Sequence, residues 1–83
     1  GGNTVKKHER IEINPEIMFG KPVIKGTRIT VELILRKLAG GMTPEEIIQD
    51  HPHLKLENIF DAQEFAADYL GQEDIIFASG NKL

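Results

Sequence analysis

The sequence predicts a mainly α fold: a tri-helical helix-turn-helix domain preceded by a short N-terminal β-ribbon. Three observations predict it. Helix-start signals stand at Thr30 and at Thr43-Pro44-Glu45-Glu46. A longer stretch from Leu56 to Leu70 is apolar at helical spacing, and short alternating stretches with turn residues precede all of these.

Ile11-Glu12-Ile13 alternates as a strand does, and Asn14-Pro15 stops it. Gly20-Lys21-Pro22 and Lys25-Gly26-Thr27 supply turn chemistry on either side of Val23-Ile24, and Arg28-Ile29-Thr30 alternates again. Together they read as a small, irregular two-stranded ribbon. Thr30 is placed to cap a helix from Val31 to about Ala39, closed by Gly40-Gly41. On that helix Val31, Ile34, Leu35 and Leu38 share the core face, while Leu33 falls opposite, between Arg36 and Lys37. In the second helix Thr43 caps, Pro44 takes the first helical position and Glu46 completes a capping box. It runs to about Asp50, buries Ile47 and Ile48, and ends before Pro52. The third helix spans about Leu56 to Leu70 and is expected to stop at Gly71. Beyond it Ile75-Ile76-Phe77 is too apolar to float free, so Asp74–Ala78 is expected to pack as a strand or as an arm onto another subunit. The organisation read this way is a flexible segment over 1–10, a helix-turn-helix-like domain over 11–70, and a C-terminal tail or arm over 71–83.

The chain of 83 residues is one domain's worth. A chain this small buries only about 60% of its unfolded surface, so one modest core is expected. No apolar run approaches the ~20 residues that cross a bilayer, and no apolar stretch follows the charges of the N-terminus, so neither a membrane span nor a secretory signal is expected. Gly1-Gly2 resemble a tag remnant and are left out of the fold reasoning. The absence of cysteine excludes disulfides and thiolate metal sites, and it fits a cytoplasmic protein. An unstapled domain of this size often leans on oligomerisation or on a partner, and a homo-oligomer, a dimer, is expected.

The net charge of −3 is unevenly spread. Residues 1–37 hold eight Lys/Arg against four Glu, a net of +4, whereas residues 38–83 hold two Lys against nine Asp/Glu, a net of −7. A polyanion would therefore meet the first half. Lys21, Lys25 and Arg28 cluster beside Gly20 and Gly26, with the Thr27 hydroxyl among them. The segment either holds phosphate oxygens or is a ribbon turn with a solvated charged edge. With Arg36 and Lys37, these four residues form the candidate nucleic-acid-binding set: Lys21, Lys25, Thr27, Arg28, Arg36 and Lys37.

The third helix, the usual groove reader in this architecture, argues against reading DNA with that helix. Glu57, Asp61, Glu64 and Asp68 fall within about 60° of arc at 3.6 residues per turn, and the helix has no Lys or Arg. Phosphate would repel such a stripe. It is either a solvated acidic face or a docking face for a basic partner. The apolar residues of the same helix cover about 220°, roughly twice what one core needs. The surplus centres on Phe65 and Tyr69, so Phe60, Phe65, Tyr69, Ile76 and Phe77 are the candidate partner interface, to be covered by the tail, by a second copy or by another protein.

Nothing has the makings of catalysis. Ser79 is the only serine and lies in the tail, and no histidine stands near a nucleophile. His51-Pro52-His53 lacks a third metal ligand at recognisable spacing, and His8 lies in the N-terminal segment. A non-enzyme without metal or cofactor is expected.

The run Ile11-x-Ile13-Asn14-Pro15…Gly20-Lys21-Pro22-Val23-Ile24-Lys25-Gly26-Thr27-Arg28-Ile29-x-Val31 resembles the domain-of-unknown-function family 433. Ile34-Leu35-x-x-Leu38-Ala39-x-Gly41-Met42-Thr43-Pro44-Glu45-Glu46-Ile47 and Pro52-x-Leu54-x-Leu56-Glu57-x-Ile59 continue the match, which covers about residues 11–70. The resemblance implies a winged-helix-like or helix-turn-helix-like domain of the antitoxin kind, similar to the VapB class and paired with a small PIN-like ribonuclease toxin. It implies binding and silencing of that nuclease, with repression of the protein's own operon as a further role. It carries over no catalytic residue, only the motif Gly20, Lys21, Pro22, Lys25, Gly26, Thr27 and Arg28. Two departures stand out. The family often has a glycine where Phe19 stands, and a Ser or Thr where Lys55, a poor cap, opens the third helix.

Overall fold

The computed structural model describes residues 8–80, with side chains through Gly71. Two short strands, β1 (Ile11–Glu12) and β2 (Val23–Ile24), are followed by helices α1 (Val31–Ala39), α2 (Pro44–Asp50) and α3 (Leu56–Gly80). The strands pair antiparallel, Ile11 opposite Ile24 and Glu12 opposite Val23. The chain then folds back on β2: Val23 bridges Thr30, and the Ile24 N–H donates to the Ile29 carbonyl at 2.9 Å. The predicted mainly α architecture with an N-terminal ribbon is the one observed. The ribbon is shorter than its sequence pattern, for Ile13 lies outside it and is exposed.

Each helix start has a visible cause. The Thr30 hydroxyl accepts from the Leu33 N–H at 2.9 Å, and Thr43 and Glu46 exchange both bonds of a capping box. α1 closes in a Schellman arrangement: the Met42 N–H reaches the Lys37 carbonyl and the Gly41 N–H the Leu38 carbonyl, both at 3.0 Å. Gly41 makes this possible at φ +103°, a conformation a side chain would strain. Lys55 cannot cap α3 with its side chain. The start is held from the other end instead: the Asn58 amide oxygen accepts from the Lys55 N–H at 2.8 Å, and Asn58 is buried to do so.

The core gathers Ile24 from β2, Val31 and Ile34 from α1, Ile47 from α2, Leu54 from the α2–α3 link, and Ile59 and Ala62 from α3. Leu35, Leu38, Ile48 and Phe65 pack around its edge. Leu33 points away from it, as the helical wheel requires.

Two expectations about the chain ends do not hold. α3 does not stop at Gly71 but continues to Gly80, so 71–80 is helix rather than strand or separate tail. Gly71 lacks the left-handed φ that a C-terminal glycine cap needs, and helix formers without proline follow it. At the other end, the flexible segment expected over 1–10 does not extend to His8–Arg10. The Ile11 N–H closes a turn on the His8 carbonyl at 2.9 Å, and the Lys25 N–H bonds the Arg10 carbonyl at 2.8 Å. Residues 1–7 lie outside the described part.

Candidate functional site: an apolar groove and a basic loop

Between β2 and α1 the signature segment forms a tight loop, Lys25-Gly26-Thr27-Arg28, and Thr27 pins it. Its hydroxyl donates to the Ile24 carbonyl at 2.7 Å and accepts from the Ile29 N–H at 2.9 Å. The Thr27 proton is therefore committed inside the loop and is not offered to a phosphate oxygen. Gly26 turns the chain at φ +84° with nothing within 4 Å of where a Cβ would stand. Lys25 and Arg28 are exposed on either side, and with His53 they edge one open groove, which Glu12 also lines.

The other predicted cations lie elsewhere, each with an acidic partner. Lys21 Nζ and Arg36 Nε both sit 3.0 Å from the Glu32 carboxylate. Their two hydrogen bonds, that from Lys21 foremost, hold the Glu32 carboxyl below its ordinary range. Lys37 Nζ lies 3.5 Å from Asp50 and links the ends of α1 and α2. Among the described residues the six-residue set thus divides into two cations without an ion-pair partner, Lys25 and Arg28, a locked Thr27, and three paired cations.

The acidic stripe of α3 is likewise half occupied. Arg10 makes a two-pronged contact with Asp61, 2.6 and 3.1 Å, and this hydrogen bond raises the guanidinium pKa above its already high value. His8 Nε2 lies 2.8 Å from Asp68, and its ring meets Phe65 edge-on at 5.2 Å. Glu57 and Glu64 remain exposed.

A second feature was only partly foreseen. α1 and α3 leave an almost wholly apolar groove of about 430 Å³, lined chiefly by Pro22, Val31, Leu35, Phe65, Tyr69 and Leu70, with the charged Glu32 and Arg36 also on its lining. Phe65 and Tyr69 stack at 6.3 Å, and Tyr69 and Leu70 are more than half exposed. Phe60, expected beside them, is exposed but absent from the groove wall, and the side chains of Ile76 and Phe77 lie outside the described part. The apolar surface continues past Pro22, Phe65 and Tyr69 to Ile13 and Gly20.

Next to Gly20 in the chain is Phe19, 94% exposed. Met18, Phe19 and Gly20 are consecutive left-handed residues, φ 50°, 58° and 83°, in a turn closed by bonds from the Gly20 N–H to the Ile17 carbonyl and from the Lys21 N–H to the Met18 carbonyl. The departure at position 19 is thereby explained in part: the backbone has a glycine's conformation, yet it carries a ring that touches solvent. Left-handed φ in consecutive non-glycine residues is strain that a sequence does not announce.

These features define a small mainly α domain with a polar loop and an apolar groove that share no lining residue. The chain belongs to the DUF433 family: residues 11–66 match it under the description "Protein of unknown function (DUF433)". Among solved structures it is similar to the 2.00 Å crystal structure of a DUF433 member protein from Anabaena variabilis ATCC 29413. The two chains are 26% identical with a TM-score of 0.71, over 83% of this chain and 68% of that one. No curated protein matches the sequence. Among the described residues no helix is long and apolar enough to cross a membrane.

Proposed function

We propose that this chain is a non-catalytic, antitoxin-like protein that docks and silences a basic PIN-like ribonuclease and represses its own operon by binding DNA. The observation that carries the reading is the continuous apolar surface from the α1/α3 groove to Ile13 and Gly20, with the exposed Phe19 next to Gly20 in the chain. A monomer of this size gains nothing by leaving Tyr69, Leu70 and a strained Phe19 in water, whereas an aromatic anchor beside an apolar groove is how interface hot spots are built. The exposed carboxylates Glu57 and Glu64 on α3 favour a basic partner over an acidic one. The class of partner comes from the family resemblance.

The test is co-purification of the tagged chain with its host's proteins after nuclease treatment, followed by ribonuclease assays on what is recovered. A basic nuclease in near-equal amount, inhibited by the wild-type chain and freed by Phe19→Ala with Tyr69→Ala, is the expected result. Recovery of a second copy alone, lost in the same variant, would replace the antitoxin reading with a homodimeric regulator or dimerisation module.

A further inference from the structure

We propose that the Lys25–Arg28 loop, with His53 beside it, is the site that grips the phosphate backbone of duplex DNA, and that α3 does not enter the groove. The inference deepens the operon-repression part of the proposed function and rests on it; it is independent of the toxin.

The argument starts from which cations are free. Among the described residues, Arg10, Lys21, Arg36 and Lys37 each lie within ion-pair distance of a carboxylate: Asp61, Glu32, Glu32 and Asp50. Bringing phosphate to any of them sets it beside that carboxylate, so attraction and repulsion largely cancel. Lys25, Arg28 and Lys55 have no such partner, and of these Lys25 and Arg28 stand together, both exposed and only three residues apart on one loop. Their full charge is available to a polyanion.

Loop geometry adds to charge. The carbonyl and hydroxyl bonds of Thr27 fix the loop, so neither cation waits on backbone ordering. Gly26 presents bare backbone between them, with open space over its α-carbon, which lets a bulky sugar-phosphate chain come close. His53 approaches from the α2–α3 link and offers a ring N–H in either tautomer. Lys supplies a point charge and Arg a planar fork, the usual pair for phosphate contacts that position a protein without reading sequence.

The groove's other residues decide which phosphate source fits. Glu12, half-buried, lines the same groove and would repel an anion seated within it. A small phosphorylated ligand wants an enclosed pocket, whereas a phosphodiester chain needs contact only with the exposed Lys25 and Arg28. The exposed Glu57 and Glu64 of α3 would be repelled by the same backbone, which places that helix away from the DNA.

The experiment compares the wild-type chain with two variants of equal charge, Lys25→Ala/Arg28→Ala and Lys21→Ala/Lys37→Ala. Binding to duplexes carrying the protein's own promoter and to mixed-sequence duplexes is measured by fluorescence anisotropy over a range of salt. The wild type binds with log K falling as log salt rises. The loop variant binds about tenfold or more weakly at low salt, and its slope is shallower by about 2, one counterion per lost cation. The second variant stays within about threefold of wild type, because its cations were already neutralised. Lys25→Arg/Arg28→Lys keeps most of the binding, and circular dichroism verifies that each variant is folded. Equal losses in both alanine variants would reduce the effect to net charge and overturn the proposal, as would unchanged binding by the loop variant or no duplex binding by the wild type. Inorganic phosphate is titrated in parallel by amide NMR. If millimolar phosphate shifts Gly26, Arg28 and His53 while no duplex binds, the site serves a small phosphate and the nucleic-acid assignment falls. Retained nuclease capture by the loop variant separates failure here from failure of the antitoxin reading.

Discussion

Replacing Phe19 by glycine should make the domain more stable and its partner binding weaker. Phe19 sits at φ 58°, ψ 30°, where an L-residue is strained by about 1–2 kcal/mol. Its side chain is 94% exposed, so removing it forfeits almost no burial. Glycine adopts the same backbone without strain, and its extra freedom in the unfolded chain returns about 0.4–1 kcal/mol. The net gain is on the order of 0.5–1 kcal/mol, or a rise in Tm of roughly 2–8 °C for a domain of this size. Phe19→Ala separates the two roles of the residue, since it deletes the ring but keeps the Cβ that clashes. The assay is thermal unfolding by circular dichroism at several protein concentrations, paired with partner capture. Glycine is expected to melt above alanine and wild type, with both variants losing the partner. A glycine variant no more stable than the alanine one would refute the strain, and undiminished capture by both would refute the anchor.

Thr43→Ala removes the acceptor for the Glu46 N–H and should cost about 1 kcal/mol of stability by denaturant unfolding, with Thr43→Ser close to wild type. The lowered pKa of Glu32 means that its ion pairs stabilise the fold above the ordinary carboxylate pKa and are lost as pH falls through the lower folded value. A carboxyl NMR titration should place Glu32 below an ordinary glutamate, and Lys21→Ala should move it back up; a normal midpoint in the wild type would count against the paired geometry. Gly71→Ala should raise helicity at 222 nm, with a gain of about 0.5–1 kcal/mol where α3 is formed, because a helix interior prefers alanine. A loss would mean that Gly71 ends the helix after all.

Where sequence and structure agree, the cause is local. Thr30 and Thr43 declare α1 and α2 because a cap needs only a hydroxyl and an N–H a few residues on, and both bonds are present. The core stripe of α1 follows from spacing alone. Where they part, the deciding partner is distant or the signal ambiguous. Glycine at 71 reads as a stop unless the backbone shows that it stays right-handed. Lys55 reads as a failed cap because Asn58, which completes the start, binds backbone to side chain in the reverse sense. Nothing in Met18-Phe19 announces left-handed backbone, although the glycine the family often has at position 19 points that way. Phe60 and Phe65 share an apolar surplus on the wheel, but only the packing of α1 and Pro22 decides that Phe65 belongs to a groove and Phe60 does not.

Charge is where the sequence misleads most, and the reason bears on function. A basic first half and an acidic second half suggest a dipole whose two ends seek different partners. The fold instead brings the halves together: Arg10 onto Asp61, His8 onto Asp68 and Lys37 onto Asp50 all join one half to the other. Surface ion pairs such as Arg10–Asp61 and Lys37–Asp50 add little stability, yet they remove charges from the field an approaching partner meets. Among the described residues, Lys25 and Arg28 on the loop, Lys55 on the α2–α3 link and Glu64 on α3 are among the exposed charges that no ion pair occupies. A polyanion and a basic protein would therefore be drawn to different residues of the same domain. One chain of this size then has room for both at once, because the loop edge and the apolar groove have no residue in common.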